Sequence, residues 1–340
     1  MSNSLIQNNG KFIQSNGKWI GNKLRYVYTT AENGVVYASP TSCYKDTEIT
    51  LTNKPNEGYV LDNYSITGAT LYDINKVKMG YENINVSANF KINYNPLNLP
   101  PYTIRIQLND GDTPSSNQYK PSTFTQVSVS PNVWDCYCNN NNWDNLLARS
   151  CVRSILGANS TNITSMQSLT NGWYISSTEL FDTSNLIVAD SLFIHGRMSS
   201  LPNFDFHNVK SANSMFNDCI NLKTIPKYNF SSVKSGYYMF AGAGCTAYPN
   251  LDFPNLEDAG SMFRENANLL ELPNLTLSNK LKNVNSMFAY SRNITGGILR
   301  TYNQLSNIES ITSHTYTFRY CGTNTSPGQA EQNQIPSDWK

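Results

Sequence analysis

Charge is scarce in this chain, and its scarcity excludes whole classes of partner. Of 340 residues only 14% are charged, and 25 Lys and Arg offset 24 Asp and Glu to leave a formal net charge of +1. That balance supplies no electrostatic footprint for nucleic acid and none for an anionic membrane. Histidine is rarer still, with His195, His207 and His314 making up the full set of three. No Ser/His/Asp arrangement can be singled out among so many serines, and Glu257-Asp258, Asp205 and Asp252 recur at turn positions rather than as a catalytic pair. The seven cysteines, Cys43, Cys136, Cys138, Cys151, Cys219, Cys245 and Cys321, are odd in number and contain no C-x-x-C pair at zinc spacing. Asp110-Gly-Asp112 lacks the later ligands of a calcium loop and reads as a turn. No enzyme, metal or cofactor is expected.

Long apolar runs are also missing. None reaches the roughly 18 residues needed to span a bilayer, so no membrane insertion is expected. The opening Met1-Ser-Asn-Ser-Leu-Ile lacks the basic head and apolar core of a signal peptide, and the expectation is a chain that is not secreted by the usual route. With 39% hydrophobic residues spread over this length, several small modules are a better fit than one large core.

What the chain does have is a repeat. Phe193, Phe216, Phe240, Phe263 and Phe288 stand 23, 24, 23 and 25 residues apart, each preceded by Leu192, Met215, Met239, Met262 or Met287. A proline follows the first four at Pro202, Pro226, Pro249 and Pro273, and an apolar residue stands four further on at Phe206, Phe230, Phe253 and Leu277. A period of roughly 20–29 residues is the signature of a leucine-rich-repeat solenoid. Leu201-Pro-Asn-Phe204-Asp-Phe206 and its counterparts from Ile225, Tyr248 and Leu272 share the spacing apolar-x-x-apolar-x-apolar, which predicts one short parallel strand per unit, opened by its proline.

These units resemble BspA-type leucine-rich repeats. Ser214-Met215-Phe216-Asn-Asp-Cys219-Ile-Asn-Leu222 and Ser261-Met262-Phe263-Arg-Glu-Asn-Ala-Asn-Leu269 carry the Met-Phe, Cys or substitute, and Leu positions, followed by a Leu-Pro strand. The likeness covers roughly residues 160–320, with Asn266 in place of Cys at one unit and a stretch of 30 residues from Phe288 to Phe318. It implies a solenoid with irregular terminal units and with small buried thiols at Cys219 and Cys245.

Upstream, residues 31–92 read as a compact β module. Its strands are Gly34–Pro40, Thr47–Thr52, Gly58–Asp62 and Ile84–Phe90, separated by Pro, Asn and Gly turns. The Ala38-Ser-Pro40 turn, the Thr47-Glu-Ile-Thr-Leu strand, the Glu57-Gly58-Tyr59 turn and the closing Val86-Ser-Ala-Asn-Phe90 resemble a divergent InlB-type B-repeat, with Tyr64 where that family often has Trp. The resemblance implies a β-grasp-like spacer or stalk unit, not a catalyst.

Before this module lies a tandem, Gln7-Asn-Asn-Gly-Lys-Phe-Ile13 and Gln14-Ser-Asn-Gly-Lys-Trp-Ile20. Asn9-Gly10 and Asn16-Gly17 are type I′ turn signals, so a small β-hairpin is expected. Its aromatic residues have two readings: Phe12, Trp19 and Tyr26 pack on the next domain, or the segment is an attachment tag. On the second reading Phe12, Ile13, Trp19 and Ile20 form a particle anchor, since such segments resemble those that open many tailed-phage virion proteins.

The expected architecture is therefore mainly β and multidomain. It comprises an N-terminal attachment segment (1–30), a B-repeat-like module (31–92), a proline linker (93–101), a β-rich connecting and capping region (102–158), and a solenoid of about 23–24 residues per unit with a C-terminal cap (159–340). The 21 tyrosines, with Asn and Ser, suit an adaptable contact surface, and Tyr228, Tyr237, Tyr238, Tyr248, Tyr290 and Tyr302 are its candidates. The resemblances imply a phage virion head or tail fibre or capsid decoration protein, assembled in the host cytoplasm. Its partners would be other virion proteins of capsid or tail, further copies in a homo-oligomer, and a host surface protein or glycan. The alternative is an adhesin on the bacterial cell surface.

Overall fold

The structure, a computed structural model, describes residues 24–340 apart from 57–58, 74, 94, 96, 115–121, 139–140, 147–151 and 170–174, together with the backbone of two earlier strands. It is mainly β and divides into two units, residues 1–96 and 97–340.

In the first unit, β1 (Phe12–Ser15) and β2 (Lys18–Gly21) pair antiparallel with Ser15 opposite Lys18, so the strands are joined through Asn16-Gly17. The anchor side chains of Phe12, Ile13, Trp19 and Ile20 lie outside the described residues, as do the Asn9-Gly10, Asn16-Gly17 and Glu57-Gly58 turns. The strands that follow are β3 (Arg25–Ala31), β4 (Gly34–Ser39), β5 (Ser42–Cys43), β6 (Glu48–Pro55), β7 (Tyr59–Thr67), β8 (Leu71–Asp73), β9 (Lys76–Lys78) and β10 (Ile84–Ile92). They form two four-stranded sheets, in the orders β5-β3-β10-β7 and β4-β6-β9-β8. Alternation dictates this: Ile49 and Leu51 on β6, Val36 and Ala38 on β4, and Val86 and Ala88 on β10 all face one shared core, while the residues between them face outward. Tyr64 packs against that core, and its hydroxyl accepts a hydrogen bond from Asn53 Nδ2 at 3.1 Å. The first strand begins at Arg25, ahead of residue 31, and runs parallel to β10.

The second unit opens with a five-stranded sheet, β12-β13-β11-β14-β15, built from β11 (Thr103–Leu108), β12 (Thr123–Ser128), β13 (Val133–Tyr137), β14 (Val152–Asn159) and β15 (Ser177–Thr178). Arg105 and Asp135 face each other across β11 and β13 and pair in bidentate fashion, at 2.6 and 2.8 Å. Asp112 N–H donates to Asn109 O and Gly111 adopts a φ of 83°, so the Asp110-Gly-Asp112 stretch is a turn.

From this sheet onward the chain stacks unit on unit. Parallel bridges run Asn142, Ser165, Val188, Ser211, Ser235, Asp258, Asn283 and Ser313, each residue bridging the next. The repeated phenylalanines form a column through the interior: Phe193, Phe216, Phe240, Phe263, Phe288 and Phe318 are fully buried, with successive rings 5.3–5.8 Å apart and within 17° of parallel. A second column, Phe206, Phe230 and Phe253, stacks beside it at 6.1 and 5.3 Å. Each such ring removes 150–250 Å² of apolar surface from water and gains a further increment from ring contact, which makes the columns the main cohesive element.

The strand expected in every unit forms in two of them. Only β16 (Leu251–Phe253) and β17 (Leu275–Leu277) pair, parallel and in register, among the four proline segments. In the two earlier segments the N–H groups of Phe204 and Tyr228 turn back onto the carbonyls of Pro202 and Pro226, at 2.9 Å, which withdraws them from a ladder. The continuous ladder runs instead through the polar residues that precede each Met-Phe pair.

Two helices close the far end. In α1 (Ile298–Ser306), Ile298, Thr301 and Leu305 face inward. The Thr325 hydroxyl caps α2 (Ser326–Asn333) by accepting the N–H of Gly328, with a proline in the first turn. Glu331 of α2 accepts the N–H of Leu299, satisfying an orphan donor of α1. The chain then folds Trp339 onto the last unit, where its carbonyl accepts Phe318 N–H at 2.9 Å and its ring stacks on His314 at 4.3 Å.

Candidate partner-binding surface

The ladder has a direction. Phe193, Phe216, Phe240, Phe263 and Phe288 each donate an N–H to the carbonyl of the residue before the next unit's Phe, at 2.8–3.0 Å. Three residues after Phe216, Phe263 and Phe288 stands a buried side chain that donates to a carbonyl of the preceding unit. Cys219 Sγ donates to Phe193 O at 3.0 Å, Asn266 Nδ2 to Phe240 O at 2.9 Å, and Ser291 Oγ to Phe263 O at 2.9 Å. Cys, Asn and Ser interchange there because each is small and carries a hydrogen-bond donor. Gly196 and Ala243 take this place after Phe193 and Phe240, so Cys245 does not occupy the repeat's Cys position; it lies two residues beyond Ala243, fully buried. The six described cysteines are all buried. Burial pushes the Cys136 and Cys219 thiols up to about 12 and that of Cys245 up to about 11, where no thiolate forms at neutral pH.

The backbone also turns left-handed twice per unit at fixed phase. Asn145, Ser168, Ser191, Ser214, Tyr238, Ser261, Ser286 and Tyr316 share φ values of 50–61°, and His195, Asp218, Gly242, Glu265, Tyr290 and Tyr320, four residues further on in their units, share 54–65°. Asn, Ser, Asp and Gly are economical choices there. Four tyrosines are not, because a bulky side chain in this region costs roughly 1–2 kcal/mol.

With the exposed Tyr237 these tyrosines form a tract over the last units, in which Tyr316 and Tyr320 are exposed and Tyr238 and Tyr290 half-buried. Tyr237 and Tyr238 meet edge to face at 4.6 Å, and Tyr290 and Tyr320 lie 5.4 Å apart. Arginines are laid on the rings: Arg264 over Tyr290 at 4.9 Å, Arg292 over Tyr320 at 4.7 Å, and Arg319 over Tyr316 at 4.6 Å and Tyr320 at 5.2 Å. Glu265 is paired with Arg264 at 2.9 Å. Beside Tyr238 and Arg264 a shallow hollow of about 220 Å³ is lined by Asn217, Asp218, Ala241, Gly242 and Glu265.

Of the six tyrosines proposed from sequence, Tyr237, Tyr238 and Tyr290 belong to this tract. Tyr228 does not. It is 3% exposed, its hydroxyl donates to Pro202 O at 2.8 Å, and it packs against Phe206, Phe216 and Phe230. Tyr248 packs on Phe240 and Phe263 and donates to Asn266 Oδ1 at 2.7 Å. Tyr302 packs against the core and meets Trp339 edge to face. The physical reason is phase: Tyr228 and Tyr248 occupy the apolar positions of the proline segment, and Tyr302 stands on α1, which is packed against the core. Tyr316, Tyr320 and the three arginines escaped the sequence reading. Their signal was present, since Tyr316 and Tyr320 flank Phe318 as Ser286 and Tyr290 flank Phe288.

Among the described residues no group of three or more His, Cys, Asp and Glu side chains is placed to hold a metal ion, and no helix is long and apolar enough to cross a membrane.

Residues 26–94 match the divergent InlB B-repeat domain. The match coincides with the two-sheet module of β3 to β10. Residues 148–249 and 196–302, which overlap along the stacked units, match a family described as a Mycoplasma protein of unknown function, DUF285. No curated protein and no solved structure matches the chain. An InlB-type repeat domain followed by a repeat domain of this second family suggests a surface or binding protein.

Proposed function

We propose that this is a non-enzymatic structural and binding protein: a phage virion fibre or decoration protein, on head or tail, docked by its N-terminal segment and displaying the stacked units for contact with a host surface. The stacked units are read as a leucine-rich-repeat solenoid of BspA type, and the InlB-type module as a β-grasp-like spacer with β3 and β10 parallel at its centre. The observation that carries the reading is the tyrosine and arginine tract, a contact surface built where the ladder itself calls for small residues. The N-terminal tandem supports the docking role. The partners are capsid or tail proteins at one end and a host protein or glycan at the other, with homo-oligomerisation as for other fibres.

The test is peptide mass spectrometry on gradient-purified particles beside washed membranes of the same cells, with a variant lacking residues 1–23. The cut falls before Arg25 because removing residues to 30 would also take β3 from its sheet. Full-length chain in particles at fixed stoichiometry, lost on truncation, is the expected outcome. Incorporation of the truncated chain sinks the anchor, and recovery from membranes alone favours the second reading, a bacterial cell-surface adhesin, which the InlB-type domain supports.

A further inference from the structure

We infer that the tract of Tyr237, Tyr238, Tyr290, Tyr316 and Tyr320 with Arg264, Arg292 and Arg319 binds an acidic polysaccharide, its sugar rings stacked on the tyrosines and its carboxylates paired with the arginines. The inference rests on the display reading above and names the ligand class for it. Three observations carry it.

The first is strain. At the left-handed positions other units use Ser, Asp, Glu, His or Gly, whereas Tyr238, Tyr290, Tyr316 and Tyr320 adopt φ values of 54–64°. At two of them packing does not require it: Tyr316 and Tyr320 are 46% and 41% exposed, while Tyr238 and Tyr290 are half-buried. A costly conformation that leaves an aromatic ring in solvent serves contact, not folding.

The second is charge. Three arginines converge on the rings, and Glu265 is an acidic partner of Arg264 alone among them. Arg264 already donates its Nε–H to Glu265 and Arg319 is hydrogen-bonded to Tyr320, so it is Arg292, over Tyr320, that offers its N–H edge to a carboxylate, a group suited to bidentate pairing. In a chain of net charge +1 this is a local concentration of one sign.

The third decides between a glycan and an acidic peptide. Peptide recognition draws on an open strand edge or an apolar groove. Over most of the tract the backbone donors are spent inside the fold: Tyr237 N–H goes to Asn213 Oδ1, Tyr238 N–H to Gly260 O and Tyr290 N–H to Arg319 O. The hollow is lined largely by polar side chains, Asn217, Asp218 and Glu265 among them, and so offers little to an apolar anchor. What the surface offers is ring faces, phenolic hydroxyls and guanidinium edges, which complement a polyhydroxylated, carboxylated chain.

The experiment is calorimetry of the full chain with sodium polygalacturonate, with its methyl-esterified form, and with poly-glutamate. The prediction is binding to the first that weakens as salt rises, with at least tenfold weaker binding to the ester. Tyr290→Ala, Tyr320→Ala and Arg292→Ala should each weaken it about tenfold, while Arg292→Lys retains part. Unchanged melting of the variants separates loss of contact from loss of fold. Equal binding of acid and ester, preference for poly-glutamate, unaltered binding by the folded variants, or no binding to polygalacturonate would each overturn the assignment. Continued particle incorporation in those cases leaves the display reading standing, so the two fail separately.

Discussion

The side-chain amide of Asn266 donates to the carbonyl of Phe240 across a unit boundary, at 2.9 Å, while its own oxygen accepts the hydroxyl of Tyr248 at 2.7 Å. One fully buried polar residue thus joins two units and orients a core tyrosine. Replacing it with alanine removes one of the two hydrogen bonds to the Phe240 carbonyl, which keeps the N–H of Ala243, and takes the amide partner from the Tyr248 hydroxyl. Asn266→Ala should lower stability by about 1–3 kcal/mol by urea titration, the range for losing the partner of a buried polar group. Asn266→Cys, which copies Cys219, should recover part of the loss.

The phenylalanine column predicts a larger effect. Phe240 is stacked on both sides, on Phe216 at 5.4 Å and on Phe263 at 5.3 Å. Phe240→Ala should cost about 3–5 kcal/mol, and the loss should exceed that for Phe124→Ala, whose ring is 36% exposed on β12. Comparable losses at the two sites would refute the column as the cohesive element.

Gly244 is required for close approach. A Cβ there would lie 2.0 Å from the carbonyl oxygen of Ile220 and 2.6 Å from its carbon, backbone atoms that cannot swing aside. Gly244→Ala should therefore destabilise by about 1–3 kcal/mol, whereas Gly111→Ala meets no atom within 4 Å and carries only the strain of its φ of 83°. Thermal melts of the two variants make the comparison.

The thiols predict a pH dependence. Burial raises Cys136 and Cys219 to about 12 and Cys245 to about 11, from an ordinary value of 9.0. Below pH 9 both folded and unfolded states keep these protons, and stability is unaffected. Above it the unfolded chain loses protons that the fold retains, so stability should fall by about 1.4 kcal/mol per pH unit for each such thiol, up to about pH 11. At pH 8 the native protein should leave Cys136, Cys219 and Cys245 unmodified by iodoacetamide, as peptide mass spectrometry would show. Rapid labelling of Cys219 would contradict its placement.

How much of this was legible beforehand differs from element to element. The Met-Phe spacing is a covalent fact with a direct steric consequence: equal spacing brings like rings into register, and the column of Phe193 to Phe288 follows from it. Alternation of apolar and polar residues likewise decides which faces of β4, β6 and β10 form the module's core. The Asn16-Gly17 turn signal similarly anticipates the pairing of β1 with β2. Tertiary structure decided the rest. Whether Tyr228 or Tyr238 meets solvent depends on a backbone turn and on which units lie above and below, and a one-dimensional count of tyrosines carries neither. The proline segments pair as strands only at β16 and β17, because a local hydrogen bond competes with the ladder at Phe204 and Tyr228. The gathering of Arg264, Arg292 and Arg319 on one tyrosine surface arises from stacking, which makes neighbours of residues more than twenty positions apart.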